Sequence, residues 1–210
     1  MRLLPELRSR RLMAIVRGTD PGAALRTVMT LVQEGVRLVE VSLTTPQALG
    51  VITRAGQELG PAAVVGAGTV ITEDDAASAA DAGAAFVVTP AAVPGLRVAR
   101  ERGLPLLAGA LTPGEVIAAT QQGAEAVKLF PASLGGVRYL RALLDPLPGT
   151  AFVPVGGVDA DTARQYLAAG AIAVGVGSPL IGDAASGGPL SGLRDRARQF
   201  LDAVQVREGQ

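Results

Sequence analysis

The chain has 210 residues, a formal net charge of zero, no cysteine and no histidine. Without those two residue types, a disulfide, a thiol nucleophile, a histidine-ligated zinc site and a Ser-His-Asp triad are excluded. The balanced charge gives no electrostatic footprint for nucleic acid or for an anionic membrane. Apolar residues make up 49% of the chain but aromatic residues only 3%, so we expect one core of Val, Leu, Ile and Ala.

The beginning of the chain predicts no targeting segment. Met1–Glu6 lacks the basic-then-apolar layout of a signal peptide, and Leu3–Arg10 is expected to form a short helix that closes the bottom of the fold. The longest apolar stretch, Tyr166–Gly182, is interrupted by glycines and a proline and is too broken to span a membrane. We therefore expect a cytoplasmic protein.

A unit made of a helical segment, a glycine and a short β-rich run recurs along the chain. A glycine directly after a helix takes the left-handed conformation and ends the helix. The Val/Leu/Ile runs that follow are nearly continuous, as in parallel strands covered on both faces. Eight strands are expected near Leu12–Val16, Leu38–Val41, Val64–Gly66, Phe86–Val88, Leu106–Ala108, Ala126–Leu129, Phe152–Val155 and Ala173–Gly175.

Helices fit between these strands. Four of them begin with capping signals, namely Asp20-Pro21, Thr72 with Asp75, Thr112-Pro113, and Asp159 with Thr162. Near the end, Asp183–Gly192 is expected to be a Gly/Ser/Ala loop, followed by an amphipathic last helix from about Leu193 to Val206.

Eight β/α units in a chain of this length predict an α/β protein with one compact (β/α)8 barrel over residues 1–210. The alternative is an open doubly wound sheet. The segment Gly66-Ala67-Gly68 resembles a dinucleotide-binding loop, but Ile71 stands where that loop needs its third glycine. The barrel is therefore the favoured fold.

Lys128 is the only lysine among the 19 basic residues, and it lies in the apolar segment Ala126–Pro131. An arginine carries a charge or grips an anion as well as a lysine does, but only a lysine can lose its proton and attack a carbonyl. Burial lowers the pKa of an amine and makes it a nucleophile. The alternative is a leftover lysine whose charged end reaches solvent from a strand end.

Glu40 lies between valines at the end of the second expected strand. The active sites of (β/α)8 barrels form at the carboxyl ends of the strands, so Glu40 and Lys128 are expected at one mouth. Desolvation raises the pKa of a carboxyl in such a place and suits it to proton transfer. The alternative is a structural glutamate paired with an arginine.

Glycines follow the last two expected strands. Gly156-Gly157 comes after the seventh strand and Gly177-Ser178 after the eighth. In such loops, backbone N–H groups can close on an anion, and this position is the usual phosphate site of these barrels. The alternative is a pair of tight turns that require glycine.

Polar residues also follow the first, third and fourth strands. Arg17 can clamp a carboxylate, and Thr69 and Thr89-Pro90 can contact a small polar substrate. Each threonine alone is more often a turn or cap residue.

Several of these segments together resemble a known family. They are Glu40-Val41-Ser42-Leu43, Gly66–Val70, Thr89-Pro90, Val127–Ala132, Gly156-Gly157-Val158 and Gly177-Ser178. In order and spacing they are similar to the 2-keto-3-deoxy-6-phosphogluconate/galactonate aldolases, a family that includes 4-hydroxy-2-oxoglutarate aldolase activity. The resemblance extends from about Leu12 to Leu180.

The resemblance implies a class I aldolase without metal or cofactor, usually a homotrimer of (β/α)8 barrels. Its substrate would be a phosphorylated keto-deoxy sugar acid, cleaved reversibly to pyruvate and glyceraldehyde 3-phosphate, with no nucleic-acid or membrane partner. Carried over by position, Lys128 is the Schiff-base lysine and Glu40 the acid/base. The same carry-over assigns the pyruvate pocket to Thr69 and Pro90, a wall of the site to Phe130, and phosphate binding to Gly156, Gly157, Gly177 and Ser178.

One position departs from the family pattern. Phosphogluconate members commonly carry Glu-Val-x-Leu-Arg in the second strand, and here Thr44 stands in the place of that arginine. The phosphogalactonate branch resembles this chain better, also in the first-strand ending Ala14–Gly18. We therefore expect Arg17 to contact the substrate carboxylate and Thr44 to lie in the substrate site. The preferred C4 epimer stays open, because only a few placed polar groups can distinguish one inverted hydroxyl.

Two other classes compete with the aldolase. A phosphosugar isomerase, epimerase or decarboxylase on the same barrel would use Lys128 as an electrostatic group, but it would often need a second inward carboxylate or a metal. A non-catalytic phosphosugar sensor is the third reading, although an amine in an apolar strand is costly to keep for binding alone.

Overall fold

Eight parallel strands form the centre of the molecule, whose computed structural model describes residues 2–205. Numbered β1 to β8, they span Leu12–Val16, Leu38–Ser42, Val64–Gly68, Val87–Val88, Leu106–Ala110, Ala126–Leu129, Phe152–Pro154 and Val174–Val176. The strand order is β7-β6-β5-β4-β3-β2-β1-β8. A parallel bridge between Val155 and Gly175 joins the two edges. The expected (β/α)8 barrel is confirmed, and the open sheet is wrong.

Helices alternate with the strands and cover the barrel. Numbered α1 to α10, they span Leu3–Arg10, Pro21–Gln33, Ala48–Leu59, Glu73–Asp81, Gly95–Glu101, Pro113–Gln121, Gly136–Leu144, Ala160–Ala168, Ser178–Ile181 and Leu190–Val204. Short 3₁₀ turns lie at Gly60–Ala62, Ala132–Leu134 and Ala184–Ser186. None of the helices within residues 2–205 is both long and apolar enough to cross a membrane.

The four capping signals are confirmed. Side chains of Thr72, Thr112 and Asp159 form capping boxes at the starts of α4, α6 and α8, and Asp20 accepts a hydrogen bond from the amide of Ala23 in α2. These side chains satisfy amide groups that have no partner within the helix.

The expected loop Asp183–Gly192 is wrong in part. A 3₁₀ turn occupies Ala184–Ser186, and α10 already begins at Leu190. Pro189 stands at the N-cap of α10, where its missing N–H interrupts no helical hydrogen bond. Val206, the expected last residue of this helix, lies outside the described residues.

Side chains of the strands alternate between two cores. The outer core lies between strands and helices, whereas the inner core fills the barrel with residues such as Leu38, Phe86, Leu107 and Val153. A Cβ added at Gly66 would lie 2.6 Å from the ring carbons of Phe86. The absence of a side chain at Gly66 therefore leaves the space that the Phe86 ring, the largest side chain of the inner core, occupies.

Helix α1 closes the end of the barrel opposite the carboxyl ends of the strands. Leu3 and Leu7 belong to the inner core and are completely buried. Oε2 of Glu125, just before β6, accepts hydrogen bonds from the amides of Leu3 and Leu4, each at 3.0 Å. This carboxylate caps α1 from a distant part of the chain, so it fixes α1 to the barrel wall.

We predict that Glu125→Ala lowers the free energy of unfolding by about 1–2 kcal/mol, because two helix-end amides lose their acceptor. Urea denaturation followed by circular dichroism measures the change. Glu125→Gln keeps one acceptor oxygen and should lose less. An alanine variant as stable as the unchanged protein would contradict the capping role.

Candidate active site

A cavity of about 260 Å3 opens at the carboxyl ends of the strands. Nine of the residues expected from the sequence line it: Arg17, Thr69, Pro90, Lys128, Phe130, Gly156, Gly157, Gly177 and Ser178. Glu40 and Thr44 do not line the cavity. The barrel thus brings together, in one place, residues that are up to 161 positions apart in the chain.

Lys128 points into the barrel because its neighbours Val127 and Leu129 belong to the outer core, and strand side chains alternate. It is only 5% exposed, and its Nζ lies 5.1 Å from the centre of the Phe130 ring. Within residues 2–205, its amine has neither a hydrogen bond nor an ion pair. The side chain is therefore largely shielded from solvent, and no partner among the described residues occupies its amine.

Gly109 faces Lys128 across the β5–β6 pair. A Cβ at this position would lie 2.1 Å from the carbonyl oxygen of Pro90. The side chain of Thr89 holds the same loop, since its hydroxyl donates to the carbonyl of Ala91 at 2.7 Å and accepts from the amide of Gly109 at 3.3 Å. Thr89 is thus the turn residue that places Pro90 at the cavity.

Glu40 is completely buried, and within the described residues neither of its carboxyl oxygens has a hydrogen-bond partner. Burial raises the pKa of this carboxyl above its ordinary value of 4.5, while the positive charges of Lys128 and Arg17 oppose that rise. An unpartnered carboxyl with a raised pKa can give a proton in its neutral form and take one in its charged form.

Gly68 provides the space for this carboxyl, which the sequence reasoning missed. A Cβ at Gly68 would lie 1.7 Å from Oε1 of Glu40, so no other residue fits while the carboxyl stays in place. Gly68 belongs to the segment Gly66-Ala67-Gly68, which we compared with a dinucleotide loop and used as a family motif, without a role for Gly68 itself. The feature that could have indicated this role is that the glycine-rich strand β3 pairs with β2, the strand that carries Glu40.

A polar cluster occupies the ends of β1, β2 and β3. The guanidinium of Arg17 donates from Nε to Ser42 Oγ at 3.4 Å and from a terminal nitrogen to Thr69 Oγ1 at 3.5 Å. Ser42 Oγ also lies 2.9 Å from Thr69 Oγ1 and 2.8 Å from Thr44 Oγ1. Thr44 is exposed and reaches the site only through Ser42. Arg17 and Thr69 face the cavity together.

The glycine loops after β7 and β8 present unused amides. Gly156 and Gly157 have φ values of 97° and 73°, a conformation that favours glycine. Among residues 2–205, no carbonyl or side chain accepts from the amides of Gly156, Gly157, Gly177 or Ser178. Converging N–H groups of this kind bind anions. Within the same residues, no three His, Cys, Asp or Glu side chains are grouped to hold a metal ion.

The raised pKa of Glu40 leads to a prediction about stability. Above pH 4.5 the folded protein holds this proton while the unfolded chain releases it, so stability falls as pH rises toward the folded-state pKa. The slope is at most about 1.4 kcal/mol per pH unit. We expect Glu40→Gln, which cannot ionise, to gain stability relative to the unchanged protein as pH rises from 4 to 8. Urea denaturation across this range measures the difference, and a difference independent of pH would contradict it.

Comparisons with known proteins agree with this geometry. The family model described as "Aldolase: KDPG and KHG aldolase" matches residues 4–186. The chain is 34% identical over 186 residues to the KHG/KDPG aldolase of Escherichia coli (strain K12), covering 87% of each protein. It is 34% identical over 202 residues to the probable 2-dehydro-3-deoxy-6-phosphogalactonate aldolase of Rhizobium meliloti (strain 1021), covering 95% of this chain and 94% of that one.

A solved structure described as "Native KDPGal structure" superposes with a TM-score of 0.86 at 33% identity, over 91% of this chain and 93% of that one. The resemblance inferred from the strand-end motifs is therefore confirmed. This chain belongs to the KDPG and KHG aldolase family.

Proposed function

We propose that the protein is a class I aldolase that reversibly cleaves 2-keto-3-deoxy-6-phosphogluconate, or its galactonate epimer, to pyruvate and glyceraldehyde 3-phosphate. One observation carries the proposal. The amine of Lys128 lies buried and unpaired at the cavity, and its charge acts on the buried carboxyl of Glu40. Family membership supports the same reaction class.

The reaction begins when the unprotonated amine of Lys128 attacks the C2 keto carbon of the substrate. The resulting carbinolamine loses water and becomes an iminium ion, which withdraws electrons. The C3–C4 bond then breaks, its electron pair moves toward the iminium nitrogen, and the C4 hydroxyl gives up its proton. Glyceraldehyde 3-phosphate leaves. The remaining enamine takes a proton at C3, and water releases pyruvate and the free amine.

Glu40 is the group we assign to these proton transfers. A carboxyl with a raised pKa can hold a proton nearer to neutral pH than an ordinary glutamate and can also accept one. No hydrogen bond to the described residues occupies its oxygens, so no partner inside the fold competes for their proton. No aspartate or glutamate of the described residues lines the cavity wall, and Glu40 is the buried acid on which the charges of Lys128 and Arg17, two residues of that wall, act.

Glu40 is the only fully buried carboxyl among the described residues, and the lack of a second one favours the aldolase over an isomerase or epimerase. A proton shuttle between neighbouring carbons often needs two positioned acid/base groups. A non-catalytic sensor would gain nothing from desolvating both an amine and a carboxyl.

The two ends of the substrate meet different chemistry. We assign its carboxylate to Arg17, and the pyruvate carbons to the pocket formed by Thr69 and Pro90, with Phe130 as a wall. Its phosphate is assigned to the unused amides at Gly156, Gly157, Gly177 and Ser178. Because Thr44 is absent from the cavity wall, we no longer propose it as a direct substrate contact.

A second candidate substrate is 4-hydroxy-2-oxoglutarate. The relative from Escherichia coli carries both activities in its name, and the pyruvate half of the site serves either substrate. A distal carboxylate would replace the phosphate at the glycine loops. Comparing kcat/KM for this compound with that for the two phosphorylated epimers separates the three possibilities.

Borohydride reduction in the presence of pyruvate tests the Schiff base. We expect one stable adduct per chain by intact mass, mapped by peptide analysis to Lys128, which is the only lysine. Lys128→Arg keeps the charge but cannot form the imine, so cleavage should fall by at least about a thousandfold. The matched control Arg97→Lys, on the exposed face of α5, should keep full activity. A Lys128→Arg variant that cleaves at the original rate would exclude the mechanism.

We also infer a homotrimer in the cytoplasm. The trimer is usual for the family that this chain resembles, and large apolar side chains are exposed at Ile71, Ile117, Phe130 and Leu134, the last with 70% exposure. The location follows from the substrate, because a charged phosphate ester does not cross a membrane unaided.

Sedimentation equilibrium is expected to give three times the chain mass of 21.2 kDa. Association should persist in high salt, since the contact surface would be apolar rather than ionic. A single species with the mass of one chain, at micromolar concentration, would contradict the trimer.

A further inference from the structure

A buried hydroxyl at the end of β2 contacts the substrate-facing groups without facing the substrate. Ser42 is completely buried and does not line the cavity. Its Oγ is nevertheless within 3.4 Å of the Arg17 guanidinium and 2.9 Å of the Thr69 hydroxyl, both of which do line it. Ser42 therefore joins the two groups to which the keto-acid end of the substrate is assigned.

The hydrogen-bond capacity of the cluster fixes what Ser42 can do. A hydroxyl donates one hydrogen bond and accepts two, whereas a guanidinium only donates. Arg17 therefore occupies one lone pair on Ser42 and one on Thr69. If Ser42 donates to Thr69, the second lone pair of Thr69 is also filled, and the hydrogen of Thr69 is left to point into the cavity.

A substrate carboxylate requires that arrangement. It only accepts hydrogen bonds, so a lone pair of Thr69 turned toward it would repel it. Arg17 itself is exposed and has a long flexible side chain, and the described residues offer it no carboxylate partner. Its contacts with Ser42 and Thr69 are what hold its charge beside the cavity.

We propose that Ser42 is a positioning residue for the carboxylate of the keto acid. It holds Arg17 at one point and orients the Thr69 hydroxyl at another, which creates a two-point clamp. This inference rests on the proposed aldolase function. Thr44, which stands where related chains carry an arginine, does not line the cavity, and in this arrangement its hydroxyl donates to Ser42.

The test is steady-state kinetics in the condensation direction, with pyruvate and glyceraldehyde 3-phosphate varied separately. Ser42→Ala should raise the KM for pyruvate about five- to twentyfold, the effect of weakening hydrogen bonds to a charged group. The KM for glyceraldehyde 3-phosphate at saturating pyruvate, and kcat, should stay within about twofold, because the far end of the substrate and Lys128 are untouched. Thr44→Val removes a hydroxyl from the same cluster but none from the cavity wall, so the KM for pyruvate should rise less than in Ser42→Ala.

Ser42→Cys provides a second variant if the alanine variant fails to fold. Its thiol fills similar space but is a weaker hydrogen-bonding group, so the KM for pyruvate should again rise selectively. The inference is overturned if the KM for pyruvate is unchanged, if both KM values rise together, or if Thr44→Val has the larger effect. If the unchanged protein forms no borohydride-trapped pyruvate adduct, the proposed function fails and this inference fails with it. A normal adduct with an unchanged KM in the Ser42 variants defeats this inference alone.

Discussion

Desolvation of the Glu40 carboxyl is the constraint on which the site depends. A buried carboxyl without a hydrogen bond is costly, and here both oxygens lack a partner within the described residues. The cost falls when the group keeps its proton, and the nearby charges of Lys128 and Arg17 lower it further when the group ionises. The neutral form of Glu40 therefore persists to higher pH than that of an ordinary glutamate, which a fully paired carboxylate would not allow.

The barrel keeps this carboxyl in place through glycines on neighbouring strands. Strand alternation turns Glu40 and Ser42 inward on β2, and their partners in register on β3 are Gly66 and Gly68. Gly68 leaves the volume that the carboxyl occupies. Gly109, opposite Lys128 on β5, likewise leaves the volume that the Pro90 loop occupies. Inward-facing glycines thus leave space for functional groups at the mouth of the barrel. The ring of Phe86 fills the space beside Gly66.

The sequence was sufficient to predict the fold because the evidence for it is local. Continuous apolar runs and glycines after helices marked every strand to within one or two residues. Lys128 and Glu40 could also be identified locally, because a charged residue inside an apolar strand is conspicuous. The loop expected at Asp183–Gly192 was wrong in part, because its composition is typical of a loop whereas α10 begins at Leu190, directly after Pro189.

Other features depend on which residues face each other across strands, and periodicity does not reveal that register. Gly68 is in register with Ser42, and its role follows from the diagonal approach of the Glu40 carboxyl to it on the same face of the sheet. The cluster around Ser42 follows from the meeting of three strand ends. Thr44 was assigned to the substrate site by its place in a motif. A residue that follows a strand can lie at the surface instead of facing the cavity. Thr44 does so, and its hydroxyl reaches the cluster only through a hydrogen bond with Ser42.

The cavity distinguishes the two anionic ends of the proposed substrate by charge type. In the proposed assignment, the guanidinium of Arg17 and the hydroxyl of Thr69 lie at the keto-acid end. Uncharged backbone amides of the glycine loops lie at the phosphate end. A second cation at the phosphate end would attract the carboxylate as well and would permit the reversed orientation. Arg17 is the only guanidinium at the described cavity wall, and under the proposed assignment it favours the orientation that brings the keto carbon to the amine of Lys128. Under this assignment, the lack of a cation at the glycine loops therefore contributes to the choice of substrate orientation as much as the charge of Arg17 does.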